Sequence, residues 1–318
     1  CLLSRGLGDV YKRQDFVEIM NSATSLALDL LNLENKGYKA LFLQGGASMQ
    51  FLMTAYNFLK NEAAFLNTGT WSKKAIKEAK LFGKVDVLGS SEDKNFNHIP
   101  DFSISKAYDY FHCTSNNTIF GTQMNNFPDI EIPIFCDMSS DIFSRQLDFS
   151  KFDLIYAGAQ KNLGPAGATL VVIKNDLLDN IKSNVPSMMN YKVHADKSSM
   201  FNTPPVFPVY ASMLNLRNLV ANGGVKAAQD RNEAKASLLY NEIDHNPLFE
   251  GTVAKEDRSN MNVTFLMNDD TRADEFNALW QENNLVGLKG HRSVGGYRAS
   301  MYNALPIESV QVLVDVMT

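Results

Sequence analysis

Apolar residues recur at three- and four-residue spacing through 15–33 (Phe16, Ile19, Met20, then Leu26, Leu30 and Leu33), which predicts an amphipathic helix. Beyond it the rhythm changes. Short apolar runs at 40–44, 64–67, 85–88, 108–113, 132–136, 153–157 and 169–173 predict strands, with helices at 49–59 and 72–82. Strands alternating with helices predict an α/β fold on a large, mainly parallel sheet flanked by helices. Residues 206–220 are helical by period, and 225–243 predict a longer, more charged helix of the kind that links two units. After Pro247, a strand at 262–267, a helix at 273–282, a strand at 297–302 and a helix from Ile307 predict a compact α+β unit. The expected division is a large domain over 15–244 and a small C-terminal domain over 245–318.

Residues 1–14 read unlike the rest, with no starting Met, no capping signal and no share in the helical pattern that follows. Their apolar part is too short for a signal peptide, and a small-residue cleavage site is missing. They resemble translated adaptor sequence at the broken end of an assembled read. The expectation is a non-native segment on a protein truncated at its amino end, so Gly6 and Gly8 carry no weight as a nucleotide fingerprint.

Of 318 residues, 45% are hydrophobic and 20% charged, which is ordinary for a globular protein and argues against disorder. A net charge of -5 gives no general attraction to nucleic acid or anionic membrane, so an anion site must be a local cluster. No apolar run approaches a membrane span. Three cysteines are too few for a disulfide framework, and Cys113 and Cys136 sit in apolar strand-like runs, read as small buried hydrophobes. A reducing, cytoplasmic setting is expected, and the cysteines lack the spacing of a metal site.

One strand-like run delivers Lys161 to the lip of a glycine-rich loop, Gly158-Ala-Gln-Lys-Asn-Leu-Gly164. Burial there favours a free amine, which can condense with an aldehyde such as pyridoxal phosphate. Asp137 ends a neighbouring run, where a carboxylate can hold the proton of that cofactor's ring nitrogen. Taken singly, a strand-end lysine is a solvated charge and a strand-end Asp a turn or cap residue. Gln44-Gly-Gly-Ala-Ser48 joins a strand to a helix, whose free amides and dipole suit a phosphate, although a plain tight turn is equally compatible. Neither glycine-rich loop contains the Gly-Lys-Ser/Thr of an ATP-binding loop. Trp71 follows a strand end where an aromatic can lie on a planar cofactor or simply pack, and Thr118 sits at an equivalent terminus. His291, Arg292 and Arg298 lie among glycines, able to grip carboxylate or phosphate or to remain solvated loop charges.

Phe42-Leu-Gln-Gly-Gly-Ala-Ser48, Asn67-Thr-Gly-Thr-Trp-Ser-Lys-Lys-Ala75, Thr114-Ser-Asn-Asn-Thr-Ile119, Tyr156-Ala-Gly-Ala-Gln-Lys-Asn-Leu-Gly-Pro-Ala-Gly167, Phe201-Asn-Thr-Pro-Pro205 and Gly290-His-Arg-Ser-Val-Gly-Gly-Tyr-Arg-Ala-Ser300 together carry a resemblance. The chain from Asp15 onward resembles the phosphoserine aminotransferase family of class V pyridoxal-phosphate-dependent aminotransferases. The resemblance implies a fold-type I transferase with 15–244 as the cofactor-binding domain. It also implies a homodimer with shared active sites, passing an amino group between L-glutamate and 3-phosphohydroxypyruvate in serine biosynthesis. In bacteria the family often serves pyridoxine biosynthesis too, on a related phosphorylated 2-oxo acid. Carried over by motif, Lys161 is the Schiff-base lysine, Asp137 the pyridinium partner and Trp71 the stacking ring. Ala47, Ser48 and Gln160 hold the cofactor phosphate, and Thr118 contacts the cofactor near its ring. Asn202 and Thr203 reach the neighbouring subunit's cofactor phosphate. Arg298 grips the α-carboxylate, while His291 and Arg292 serve the substrate's distal phosphate across the interface.

The family's amino-terminal Ser-Ala-Gly-Pro turn and His-Arg-Ser motif have no counterpart here. Tyr11, Lys12 and Arg13 fall where the latter would be, and Lys12 offers a point charge instead of an arginine fork. The expectation is a chain that binds cofactor but turns over poorly. Rival readings are a class V aminotransferase acting on a non-phosphorylated amino acid, which would not need His291 and Arg292, and a non-catalytic cofactor-holding protein.

Overall fold

The computed structural model describes residues 14–318. The readings that fall on residues 1–13, including those at Gly6, Gly8, Tyr11, Lys12 and Arg13, lie outside the described residues.

Helix α1 (Gln14–Leu30) buries Phe16, Met20, Ala23, Ala27 and Leu30, one stripe at helical period. It stops three residues short of the expected end because Asn32 turns left-handed at φ 54°, while Leu31 and Leu33 stay buried. Then follow β1 (Tyr38–Leu43), α2 (Gly46–Phe58), β2 (Glu62–Asn67), α3 (Thr70–Ala79), β3 (Lys84–Ser90), β4 (Phe111–Thr114), β5 (Ile134–Asp137), β6 (Leu154–Gly158) and β7 (Thr169–Lys174). Two short helices, α4 (Asn175–Leu178) and α5 (Tyr191–Asp196), precede α6 (Val206–Ala221) and α7 (Gly224–His245). The chain closes with β8 (Phe249–Gly251), β9 (Asn262–Met267), α8 (Ala273–Glu282), β10 (Tyr297–Ser300) and α9 (Ile307–Met317).

The large sheet has the order β1-β7-β6-β5-β4-β2-β3. β6, β5, β4, β2 and β3 pair in parallel, and β7 runs against both its neighbours. β1 therefore points the same way as the parallel set. The loops leaving β1, β2, β4, β5 and β6 all emerge on one edge, where open α/β sheets bind ligands.

The expected alternation with helices holds only from β1 to β3. No α-helix lies between β3 and β7; the connections are irregular, with 3₁₀ turns at Glu92–Lys94 and Phe149–Lys151. These loops cover the sheet themselves, packing Ile99, Phe102, Ile104, Phe127, Ile130 and Ile132 against the core beneath α1 and α6. Side chains alternate across the pleat. Ile134, Cys136, Ile155 and Ala157 face that core, while Phe135, Leu154 and Tyr156 face a second one under α2, α3 and α5. Cys113 and Cys136 are both fully buried, as expected, with sulfurs 3.6 Å apart.

A third core sits on the antiparallel sheet β10-β9-β8, where Phe265 stacks with Tyr297 and Phe249 meets it edge-on. The short β8 escaped the periodicity because three residues show no alternation. Trp280 of α8 is buried in this core and its Nε1 donates to Asn277 Oδ1 at 3.1 Å. Helix α7 gives Val225 to the first core and Ala236, Leu239 and Ile243 to the third.

At the end of α7, Asp244 takes a two-pronged grip from Arg258, at 2.9 and 2.7 Å, with Lys255 3.2 Å away. These cations hold the carboxyl down at about 2. A depressed folded-state pKa contributes stability that is complete above the unfolded value near 3.9 and lost as pH falls toward 2. The urea midpoint of Arg258→Leu should therefore lie below that of the wild type above pH 4, with the gap closing below it. A gap constant down to pH 2 would refute the charge assignment.

Candidate active site

Helix α2 begins through two left-handed glycines, Gly45 at φ 93° and Gly46 at φ 65°. A Cβ on Gly45 would come within 2.5 Å of Met49 Cβ, so only glycine allows this entry. The helix has no side-chain cap and no acidic residue in its first turn. The amides of Gly46, Ala47 and Ser48 consequently face the loop without intrahelical acceptors, and the dipole's positive end lies with them. Ala47 is half-buried and Ser48 exposed.

Asp137 is the last residue of β5 and is buried. Its Oδ1 accepts the Ser139 N–H at 2.9 Å, and no hydrogen bond from another described residue reaches Oδ2. Burial raises its pKa, against the pull of Ser139 and Lys161. Ser139 also braces the next strand, accepting the Gly158 N–H at 3.1 Å. Lys161 lies three residues past β6, half-buried, with its pKa lowered by burial against the attraction of Asp137 and Asp141. Burial thus outweighs charge attraction at both groups, and Lys161 gives up its proton more readily than an ordinary lysine.

The Lys161 ammonium stands 5.9 Å from the Trp71 ring centroid. Trp71 is fixed by its Nε1 donating to Thr118 Oγ1 at 3.0 Å, and Lys74 lies 4.4 Å from the same ring centroid. Arg298 of β10 reaches across from the small sheet, its Nη1 donating to the Thr118 carbonyl at 3.0 Å. Its Nε is buried without a partner among the described residues. Lys161, Asp137, Trp71, Thr118 and Arg298 are thereby gathered at one sheet edge.

Among the described residues no hydrogen bond or ion pair joins the remaining expected residues to that cluster, although Val294, two residues past Arg292, packs with Trp71 against Phe96, Ile119 and Phe120. Gln160 is exposed beside Gly158. Asn202 and Thr203 lie in the approach to α6, where Gln44 Nε2 holds the Thr203 carbonyl at 2.7 Å. Among the described residues, no hydrogen bond or ion pair joins His291 or Arg292 to Lys161. His291 instead bonds Ser293 at 2.7 Å, and Arg292 is exposed.

Sequence reasoning missed a polar layer beneath the site. His112 Nε2 meets the Tyr156 hydroxyl at 2.7 Å and its ring stacks on Phe65. Burial pushes the imidazole down to about 3, so it stays neutral. Tyr156 is in register with Asp137, as is Thr114, whose hydroxyl is buried without a partner among the described residues. The one available signal was a histidine at a core-facing position of an apolar strand.

An anion-ready helix start, a lysine of lowered pKa, a buried acid and an indole at one sheet edge are the equipment of amino-group chemistry. The chain belongs to the aminotransferase class-V family, whose model matches residues 6–313. Over 310 residues it is 60% identical to a phosphoserine aminotransferase of Flavobacterium psychrophilum, covering 96% of this chain and 87% of that one. The solved phosphoserine aminotransferase from Bacillus circulans subsp. alkalophilus superposes with a TM-score of 0.93 at 43% identity, over 96% of this chain and 87% of that one. A pyridoxal-phosphate-bound phosphoserine aminotransferase from Trichomonas vaginalis gives 0.91 at 34% identity, over 98% and 90%.

Proposed function

We infer that this chain transfers an amino group from L-glutamate to 3-phosphohydroxypyruvate, giving 2-oxoglutarate and O-phospho-L-serine, with pyridoxal 5′-phosphate as cofactor. The observation that carries the reading is the gathering at one sheet edge of Lys161, the buried Asp137 carboxyl and the Trp71 indole, with Arg298 reaching across from the small sheet. The donor set fits the cofactor: an amine for its aldehyde, an acid for its ring nitrogen, an indole for its ring and a helix start for its phosphate. When bound, pyridoxal phosphate supplies an electron-withdrawing ring that stabilises negative charge at the substrate's α-carbon.

Lys161 would hold the cofactor through its aldehyde, and its amine would be the base that moves the substrate's α-proton. Asp137 keeps the ring-nitrogen proton in place, and Trp71 covers the ring with Thr118 fixing its indole. The amides of Ala47 and Ser48, the Ser48 hydroxyl and Gln160 hold the cofactor phosphate. Arg298 clamps the α-carboxylate, and His291 and Arg292 take the substrate's distal phosphate. The proposal includes serine biosynthesis, a related phosphorylated 2-oxo acid of pyridoxine biosynthesis, and the division into units 15–244 and 245–318. No helix among the described residues is long and apolar enough to cross a membrane. A cytoplasmic setting is part of the proposal, supported by two adjacent unbonded thiols.

A homodimer in which Asn202, Thr203, His291 and Arg292 serve the partner's site is part of the proposal. Helix α6 supports it: Phe207, Tyr210 and Leu214 form an exposed apolar stripe directly after Asn202 and Thr203, and Phe207 is 69% exposed. Phe207→Glu should shift sedimentation from dimer toward monomer. A monomeric wild type refutes this part.

Glutamate added to the cofactor-loaded protein should bleach its visible absorbance, and 3-phosphohydroxypyruvate should restore it far faster than pyruvate. Arg292→Ala should narrow that preference by roughly 10-fold or more, the scale of a lost charged hydrogen bond. Equal losses on both acceptors would favour a non-phosphorylated substrate.

A further inference from the structure

Asn162 directly follows Lys161 and is buried at 6% exposure. Its Nδ2 donates to the carbonyls of Ser140 at 3.4 Å and Ile142 at 3.2 Å, on the turn that begins at Asp137. Its Oδ1 accepts the Asn303 N–H at 3.0 Å, on the segment that leaves β10 just after Arg298. The backbone carbonyls of Asn162 and Leu163 accept from Asn215 Nδ2 of α6 at 2.9 and 3.0 Å.

The far side of this junction is itself secured. The Lys235 ammonium of α7 donates to the carbonyls of Met301, Tyr302 and Leu305 at 3.1, 2.9 and 3.0 Å. The Asn303 amide donates to the Phe143 carbonyl at 2.9 Å and accepts from Asn232 at 2.8 Å. The buried Asn162 amide is bonded at both its nitrogen and its oxygen, which specifies one arrangement and makes it costly to break. A cavity of about 510 Å³, lined by Lys161, Asn162, Asn215, Asn218, Arg231 and Asn303 among others, lies beside the junction.

We propose that Asn162 is a positioning residue, locking the segment that carries Lys161 to those that carry Asp137 and Arg298, so that amine, carboxyl and guanidinium keep one mutual geometry. The proposal rests on the reading of Lys161 as the cofactor-bearing amine. A displacement near 1 Å costs up to about 10²-fold in rate, so side chains that never touch substrate can govern turnover. Asn57 supplies a control: it is as buried as Asn162, bonds the Met53 and Met189 carbonyls at 2.8 Å each, and lies away from the site.

The test compares cofactor-loaded wild type, Asn162→Ala, Asn215→Ala and Asn57→Ala. Asn162→Ala should lower kcat by roughly 10- to 100-fold while borohydride still attaches the cofactor to Lys161. The pH midpoint of its visible absorbance should shift by about half a unit or more, because the placing of Lys161 relative to the Asp137 carboxyl changes. Asn215→Ala should move both readings the same way by less, and it decides the matter if Asn162→Ala does not fold. Asn57→Ala should lose urea resistance with kcat and midpoint unchanged. Loss of stability alone in Asn162→Ala or Asn215→Ala, or equal kcat losses in all three variants, overturns the positioning role. A label on another side chain instead overturns the lysine assignment, and the positioning role with it.

Discussion

Lys161→Ala should lower glutamate-dependent transamination about 10⁴-fold, the upper range for a single proton-transferring group, and abolish borohydride attachment of the cofactor. In the proposed reading two separate tasks fall on this one amine. It would anchor the aldehyde and would serve as the base for the α-proton, so a methyl in its place would remove both. Added methylamine should restore part of the rate, since the second task needs only a base of suitable pKa in the space vacated. The fold should survive. The chain around Lys161 is held by backbone groups and Asn162, and the Asp137 carboxyl, which loses the attraction of the ammonium, can take up a proton because burial already raises its pKa. Turnover within 10-fold of wild type, or a label elsewhere after borohydride, would end the assignment.

Asp137→Asn should lower turnover by about 10² to 10³-fold without weakening the cofactor-free protein. An amide matches the carboxyl in shape and keeps an oxygen for the Ser139 N–H, yet cannot hold a proton on a pyridine nitrogen. Burial raises the Asp137 pKa in the fold, so its carboxylate is disfavoured relative to the unfolded chain. The sign follows: that penalty is complete above the folded pKa and absent below the unfolded value near 3.9. Asparagine should therefore raise the urea midpoint of the cofactor-free protein near neutral pH, with the gain vanishing below pH 4. Activity falling while stability rises is the mark of a group kept for chemistry instead of folding. A stability loss at pH 7 matching the activity loss would make Asp137 a structural residue.

The position of both groups was legible in the sequence, because Asp137 ends one apolar run, Lys161 lies in the loop three residues past the next, and strand ends in an α/β sheet share one edge. The glycines at 45 and 46 were equally readable, since a strand-to-helix turn needs the left-handed conformations they adopt. Helix α1 was found by period but overrun by three residues, because nothing in an apolar Leu31 and Leu33 announces the left-handed Asn32. The helix-free connections from β3 to β7 stayed hidden for a related reason. Their apolar residues lack a regular period, and only the sheet they cover explains them. Asn162 was in view within a recognised motif, yet its bond to Asn303 spans 141 residues, a pairing no local pattern encodes. The His112–Tyr156 pair spans 44 residues and was invisible for the same reason.

The two tryptophans fall in different places: Trp71 beside Lys161, and Trp280 within the aromatic core on the three-stranded sheet. Their ultraviolet emission therefore makes the molecule its own two-channel optical probe. A chromophore seated at Lys161 would quench the indole beside it by energy transfer, and a Trp71→Phe variant would leave only the emission of Trp280 from the core on the three-stranded sheet.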